Sequence, residues 1–190
     1  MEWRPVQAAA GALPCGHVHD HGAGTLDEQA RRLSHEELAV ADRLAAEGHQ
    51  VRSLPESRHG GRRADLSVCG VPVEVKSFAP VEERRTRPGA RSVFNKLVDA
   101  AGQARHVVLI DRGSGLSAGS ARQGMGRWAL AAGPDDRLDS VRVMGDGFDL
   151  AWARSARREI ERAPLVSGAG VLAPERGRTP ARREVALPGR

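Results

Sequence analysis

Tyrosine is absent from the chain, and three Phe and three Trp are its whole aromatic complement. At 3% aromatics, rows of stacking rings for unpaired bases are excluded as the main mode of recognition. Only two cysteines occur, Cys15 and Cys69, too few for the disulfide framework of a small secreted domain, so a reducing compartment is the simpler setting. No stretch approaches the ~18 apolar residues of a membrane-spanning helix, which speaks against a membrane protein. Lysine is nearly missing too: 27 of the 29 basic residues are Arg, and Lys76 and Lys96 are the exceptions. With many Ala and Gly, this choice has the look of a GC-rich genome. A merely positive surface position would be Arg here, so each lysine is more informative than usual.

What remains is enough for one domain: 190 residues, 40% of them hydrophobic. The net charge is +5, but eight Arg against four Glu in residues 156–190 supply +4 of it, leaving the body near neutral at +1. Charge alone therefore does not mark a nucleic-acid binder. Residues 1–30 read as a poorly ordered arm without the basic start and apolar run of a secretory signal. Its Cys15, His17, His19, Asp20 and His21 are ligand types for zinc or nickel, but their spacing lacks a paired motif, and a solvated arm is the plainer reading. Residues 156–190, rich in Pro, Gly and Arg without period, read as disordered.

Between these ends the pattern is that of a mixed α/β domain over residues 31–155. Ser34 and Glu37 form a capping box; Leu38, Ala41, Leu44 and Ala45 follow at helical spacing, and Gly48 supplies the stop. Residues 49–54 alternate as a strand. Residues 64–78 read as two antiparallel strands joined at Gly70, with Pro72 marking an edge or a bulge. A basic loop with Arg84, Arg85, Arg87 and Arg91 leads to a helix capped by Ser92 and ending near Ala104. Residues 106–111 form a near-continuous apolar strand. Residues 113–126 read as a Gly/Ser-rich loop, followed by a helical turn around Trp128 and a strand near 141–144.

The chemistry concentrates in the hairpin. Residues two apart in a strand share a face, so Glu74 and Lys76 point together, opposite Val71, Val73 and Val75. Asp65 on the preceding strand is brought across from them. Two carboxylates and an ammonium on one face suit a hard divalent cation, which takes carboxylate oxygens, waters and substrate phosphate. A solvated strand face is the plain alternative, and for Asp65 a turn role.

Asp65 followed by Glu74-Val75-Lys76 resembles the D…(D/E)-x-K signature of the PD-(D/E)xK nuclease superfamily, with Ala64 where that family usually has Pro. Glu37, Ala41, Leu44, Gly48 and Val51 are spaced as in the opening of the nuclease domains that end bacterial contact-dependent inhibition and other polymorphic toxins. Leu54-Pro55, Gly60-Gly61, the D-x-x-V-x-G-x-x-x-E-x-K run of residues 65–76 and Gln103 follow in the same order. The resemblance covers roughly residues 34–150. It implies a central mixed sheet flanked by helices with a restriction-endonuclease-like core, and cleavage of phosphodiester bonds with Mg²⁺ or Mn²⁺. It implies Asp65, Glu74 and Glu37 as metal ligands, Lys76 as the partner of the catalytic base and Gln103 as a group that positions water or substrate. tRNA is the substrate it favours, in the cytoplasm, with delivery as part of a secreted effector and a cognate immunity protein as partner.

Arg84, Arg85, Arg87, Arg91 and Lys96 are candidates for phosphate contacts, though a basic loop is as readily a solvated one. Glu37 is fully explained as a cap, and Gln103 as an ordinary helix-end residue. The rivals to a tRNA-cleaving RNase are a DNA endonuclease of the same fold and a non-catalytic α/β module that binds nucleic acid or protein. A third is a metal-binding protein centred on the His-containing arm.

Overall fold

The computed structural model of the chain describes residues 3–6, 13, 24–56, 64–78, 86–133 and 137–154. The Cys15–His21 candidates, Gly60-Gly61, Arg84, Arg85 and the basic tail 156–190 lie outside the described residues.

Two short strands, β1 (Trp3–Val6) and β2 (Thr25–Asp27), lie within the stretch read as an arm. They are too short to show a period. β1 carries Pro5, which an edge strand tolerates because its outward N–H has no partner to lose. Helix α1 (His35–Ala46) starts at the capping box: Ser34 Oγ accepts from the Glu37 N–H at 3.2 Å, and Glu37 Oε2 accepts from the Ser34 N–H at 2.7 Å. It leads into β3 (Gln50–Ser53).

The hairpin forms as expected. β4 (Leu66–Val68) and β5 (Val71–Ser77) are joined by Cys69 and Gly70, both at positive φ (49° and 85°), the combination a type I′ turn demands. β5 is an interior strand, but pairing with the next strand begins only at Val73, so Pro72 is flanked by β4 alone and its missing N–H costs nothing on the other side. Helix α2 (Ala90–Ala101) is capped by the extended Gly89, one turn earlier than Ser92, whose N–H bonds the Gly89 carbonyl at 2.9 Å.

β6 (His106–Ile110) is the buried apolar strand. The Gly/Ser-rich segment after it corrects the sequence reading. Most of it is helix α3 (Ala118–Ala131), capped by Ser117 Oγ, which accepts from the Ser120 N–H at 3.0 Å. Glycine serves packing here: a Cβ on Gly124 would come within 2.5 Å of Val93 Cβ and 2.8 Å of the Ala90 carbonyl, so the bare backbone lets α3 press against α2. β7 (Ser140–Gly145) and β8 (Phe148–Arg154) close the fold as a second hairpin.

The eight strands form one mixed sheet in the order β1-β8-β7-β6-β5-β4-β3-β2. β2/β3, β5/β6 and β6/β7 are parallel; the other pairs are antiparallel. Strand alternation divides the core between two faces. Val73, Val75, Val108 and Ile110 pack with Val40, Ala41 and Leu44 of α1. On the opposite face Val107, Leu109, Val141 and Val143 pack under α2 and α3. This second core includes no residue of β2, β3 or β4. On that side the outward positions of those strands, Arg52 and Ser67 among them, stay partly or fully exposed. The α/β class and the helix-flanked mixed sheet expected from the sequence are what the chain adopts. Among the described residues no helix is long and apolar enough to cross a membrane.

Candidate active site

Glu74 sits where the apolar layer under α2 gives way to this open half of the sheet. The β4/β5 register pairs Leu66 with Val73, so Asp65, one residue before β4, stands across from Glu74. Asp65 Oδ2 accepts from the Val75 N–H at 2.9 Å, which folds the carboxyl back over the hairpin. Glu74 is 1% exposed. Its Oε1 accepts from Lys76 Nζ, while Oε2 is buried with no hydrogen-bond partner among the described residues.

Lys76 Nζ also donates to Gln103 Oε1 at 3.2 Å. Gln103 lies just past the end of α2, and its Nε2 donates to the Asp99 carbonyl at 2.9 Å. That bond satisfies one of the free carbonyls of a helix end and sets which amide atom faces the lysine. The four residues Asp65, Glu74, Lys76 and Gln103, singled out from sequence, are thus in one place.

Glu37 comes to the same edge of the sheet from the other face, at the N-terminus of α1. Both of its oxygens are engaged by Arg31: Nη2 to Oε1 at 2.8 Å and Nη1 to Oε2 at 2.7 Å. Arg31 Nη2 also lies 3.3 Å from Asp65 Oδ1. Arg31 carries no signal in the sequence. It sits in an irregular segment of an Arg-rich chain, and nothing in its neighbours' spacing distinguishes it.

The electrostatics follow from burial and from these partners. Burial raises the Asp65 pKa, as do the neighbouring Glu74 and Glu37 carboxylates, against the Val75 hydrogen bond; the group is pushed up to about 7. Burial also lifts Glu74 above the usual carboxylate range despite Lys76. For Glu37 burial is outweighed by the Arg31 fork and the Ser34 N–H, and its pKa falls to about 2. Asp65 therefore stands between two acids with an arginine that is shared with Glu37, and a proton relieves the crowding.

Among the described residues no group of three or more His, Cys, Asp or Glu side chains is placed to hold a metal ion. The donor set is the Asp65–Glu74 pair. A pair of carboxylates is what Mg²⁺ commonly uses, since it keeps several waters and takes its remaining oxygens from substrate. The buried Glu74 Oε2, which has no partner among the described residues, is the acceptor such an ion would satisfy.

Of the basic candidates among the described residues, Arg87 and Arg91 are not gathered here. Arg87 and Arg91 lie at the N-terminal end of the 12-residue α2, ~18 Å of helix from the Gln103 end. Arg87 packs along Gly115. Lys96 is midway along α2, half-buried and seven residues, about two turns, before Gln103. His49 is buried with its Nδ1 3.8 Å from Cys69 Sγ, and His106 bonds Ser140 at 2.8 Å, so both histidines are committed within the fold. A cleft of about 460 Å³, lined by Arg43, Asp111, Asp146 and Asp149 among others, opens on the α1 face and contains none of the site residues.

No protein-family model matches the chain, and no curated protein matches it. Among solved structures it is similar to a chain described as the CdiA-CT/CdiI toxin and immunity complex from Burkholderia pseudomallei. The two share 16% sequence identity with a TM-score of 0.43, and the match covers 68% of this chain and 98% of that one.

Proposed function

We propose that the chain is a metal-dependent phosphodiesterase, an endonuclease that uses Asp65 and Glu74 to hold Mg²⁺ or Mn²⁺. The observation that carries this reading is the buried Glu74 carboxylate, with one oxygen on Lys76 and the other without a hydrogen-bond partner among the described residues, set across from Asp65. A divalent ion bound there supplies Lewis acidity toward a phosphoryl oxygen and lowers the pKa of a water. Lys76 keeps one of its three N–H groups beyond those given to Glu74 and Gln103. That proton orients the attacking water or steadies charge developing on the phosphoryl group. Gln103 fixes the lysine's direction, because its amide is itself held by the Asp99 carbonyl. The exposed sheet face bearing Arg52 and Ser67 gives a phosphate chain its approach to the pair.

Within this class, the ordered motifs from Glu37 to Gln103 favour a toxin-type RNase acting on tRNA in the cytoplasm, delivered by a secreted effector and checked by an immunity protein. The test is cleavage of bacterial tRNA and of duplex DNA by the purified chain, with Mg²⁺ and with EDTA. Mg²⁺-dependent loss of tRNA is expected. Glu74→Ala and Lys76→Ala proteins, confirmed as folded, should be slower by ~10²-fold or more. Cleavage of DNA alone would move the substrate and keep the chemistry. Failure to cleave either, together with failure to bind Mn²⁺, would leave a non-catalytic module.

A further inference from the structure

Arg31 is the most heavily engaged side chain at the site, and no motif includes it. All five of its N–H groups have acceptors. Nε donates to the Leu54 carbonyl at 3.0 Å, Nη1 to the Arg32 carbonyl at 3.2 Å and to Glu37, and Nη2 to Glu37 and Asp65. Its own backbone N–H donates to Ser53 Oγ at 3.2 Å. The guanidinium therefore ties the segment before α1 to the end of β3 and to the residue that opens β4.

We infer that Arg31 and Glu37 form a positioning pair, in which Glu37 acts on the site through Arg31 to aim Asp65 and is not itself a ligand of the ion. The inference rests on the functional reading above and replaces the role that the motif resemblance gives Glu37. Three observations support it. Both Glu37 oxygens are spent, Oε2 twice over, on Arg31 and on the Ser34 N–H. Turning toward a cation would break a two-pronged pair whose side chains are only 16% and 14% exposed, and would uncap α1 as well. Asp65 is gripped at both oxygens, Oδ2 by the Val75 N–H and Oδ1 by Arg31. A carboxylate fixed in this way presents its remaining lone pairs in one direction, as the outer partners of metal ligands do elsewhere.

The test is a double-mutant cycle on the full chain, reading kcat and KM for the cleaved substrate and, separately, Mn²⁺ affinity by calorimetry. Glu37→Gln should lower kcat by ~10–100-fold with KM little changed, and Mn²⁺ affinity should shift with it. In an Arg31→Met background the same Glu37→Gln change should alter both readouts by less than about twofold, because the guanidinium is gone and the one partner left, the Ser34 N–H, is still accepted by the Gln side-chain oxygen. Arg31→Lys keeps the charge but not the fork, and should lose about as much as Arg31→Met. Should Arg31→Met fail to fold, the neutral Arg31→Gln is the background to use. If Glu37→Gln costs the same factor in both backgrounds, Glu37 is a ligand and the inference falls. It falls too if Arg31→Met tightens Mn²⁺ binding and Glu37→Gln removes the gain. A wild type that neither binds Mn²⁺ nor cleaves would instead sink the functional reading, a result recognisable before any variant is made.

Discussion

At the scale of single residues, the site is a contest between carboxylates for too little positive charge. Asp65 has the most to lose by ionising. Its pKa lies at about 7 in the folded chain against an ordinary 3.8, so folding favours the protonated acid. The stabilisation from this group is complete below the unfolded value and is lost as pH rises through about 7. In EDTA the wild-type urea midpoint should therefore lose ground between about pH 5 and pH 8 relative to Asp65→Asn, which keeps the neutral form throughout. Mg²⁺ at the upper pH should restore the wild type and do little for the variant. Parallel pH dependence of the two proteins would show that Asp65 is not the group responsible. Asp65, Glu74 and Lys76 are legible from sequence because strand alternation and a two-residue turn fix both face and register within a dozen residues. Arg31 is not, because what singles it out is a set of partners 6 to 34 residues away.

Among the elements, glycine is where sequence and structure part. Gly119, Gly124 and Gly126 make residues 113–126 read as a loop, since glycine weakens a helix by ~1 kcal/mol per residue. Packing overrides that preference. Gly124→Ala should destabilise the protein by ~1–3 kcal/mol, the cost of forcing a methyl into Val93, despite the gain in helix propensity. Gly126 is the control, because a methyl added there would meet nothing within 4 Å. Gly126→Ala should stabilise by up to ~1 kcal/mol in the same denaturant titration. Equal effects at the two positions would refute the packing argument. α1, β3, the β4/β5 hairpin and β6 are legible because each carries a strong local signal: a cap, a period or a turn. β1, β2 and β8 are not, the first two because three or four residues show no period, the last because its outward positions are half-buried on both faces.

Across the whole molecule, a second ionic group holds the sheet to α1. Arg142 on β7 is 1% exposed and donates to Glu47, past the end of α1, at 2.6 Å through each Nη, and to Asp149 on β8 at 2.9 and 2.6 Å. Truncating one member of such a buried network strands the others, so Arg142→Met should cost ~3–5 kcal/mol in equilibrium unfolding. Burial pushes Glu47 up, but Arg142 and Arg43 prevail and its pKa is lowered. Its contribution is present above the ordinary glutamate value and is lost as pH falls through the depressed one. Glu47→Gln should accordingly lose stability at neutral pH and show a shallower acid limb. An unchanged acid limb would remove Glu47 from the account.

By itself the sequence determined the local pieces: where α1 starts, which face of β5 is apolar, and that Asp65, Glu74 and Lys76 share a hairpin. Those follow from the 3.6- and 2-residue periods and from turn chemistry, which act over a few residues. Only the tertiary structure decided the strand order, which leaves the outward positions of β3 and β4 beside Glu74, Arg52 and Ser67 among them, partly or fully exposed, and the pairing of Arg31 with Glu37 and Asp65. These depend on contacts between segments distant in the chain, and no short-range pattern encodes which of 27 arginines will be buried beside an acid.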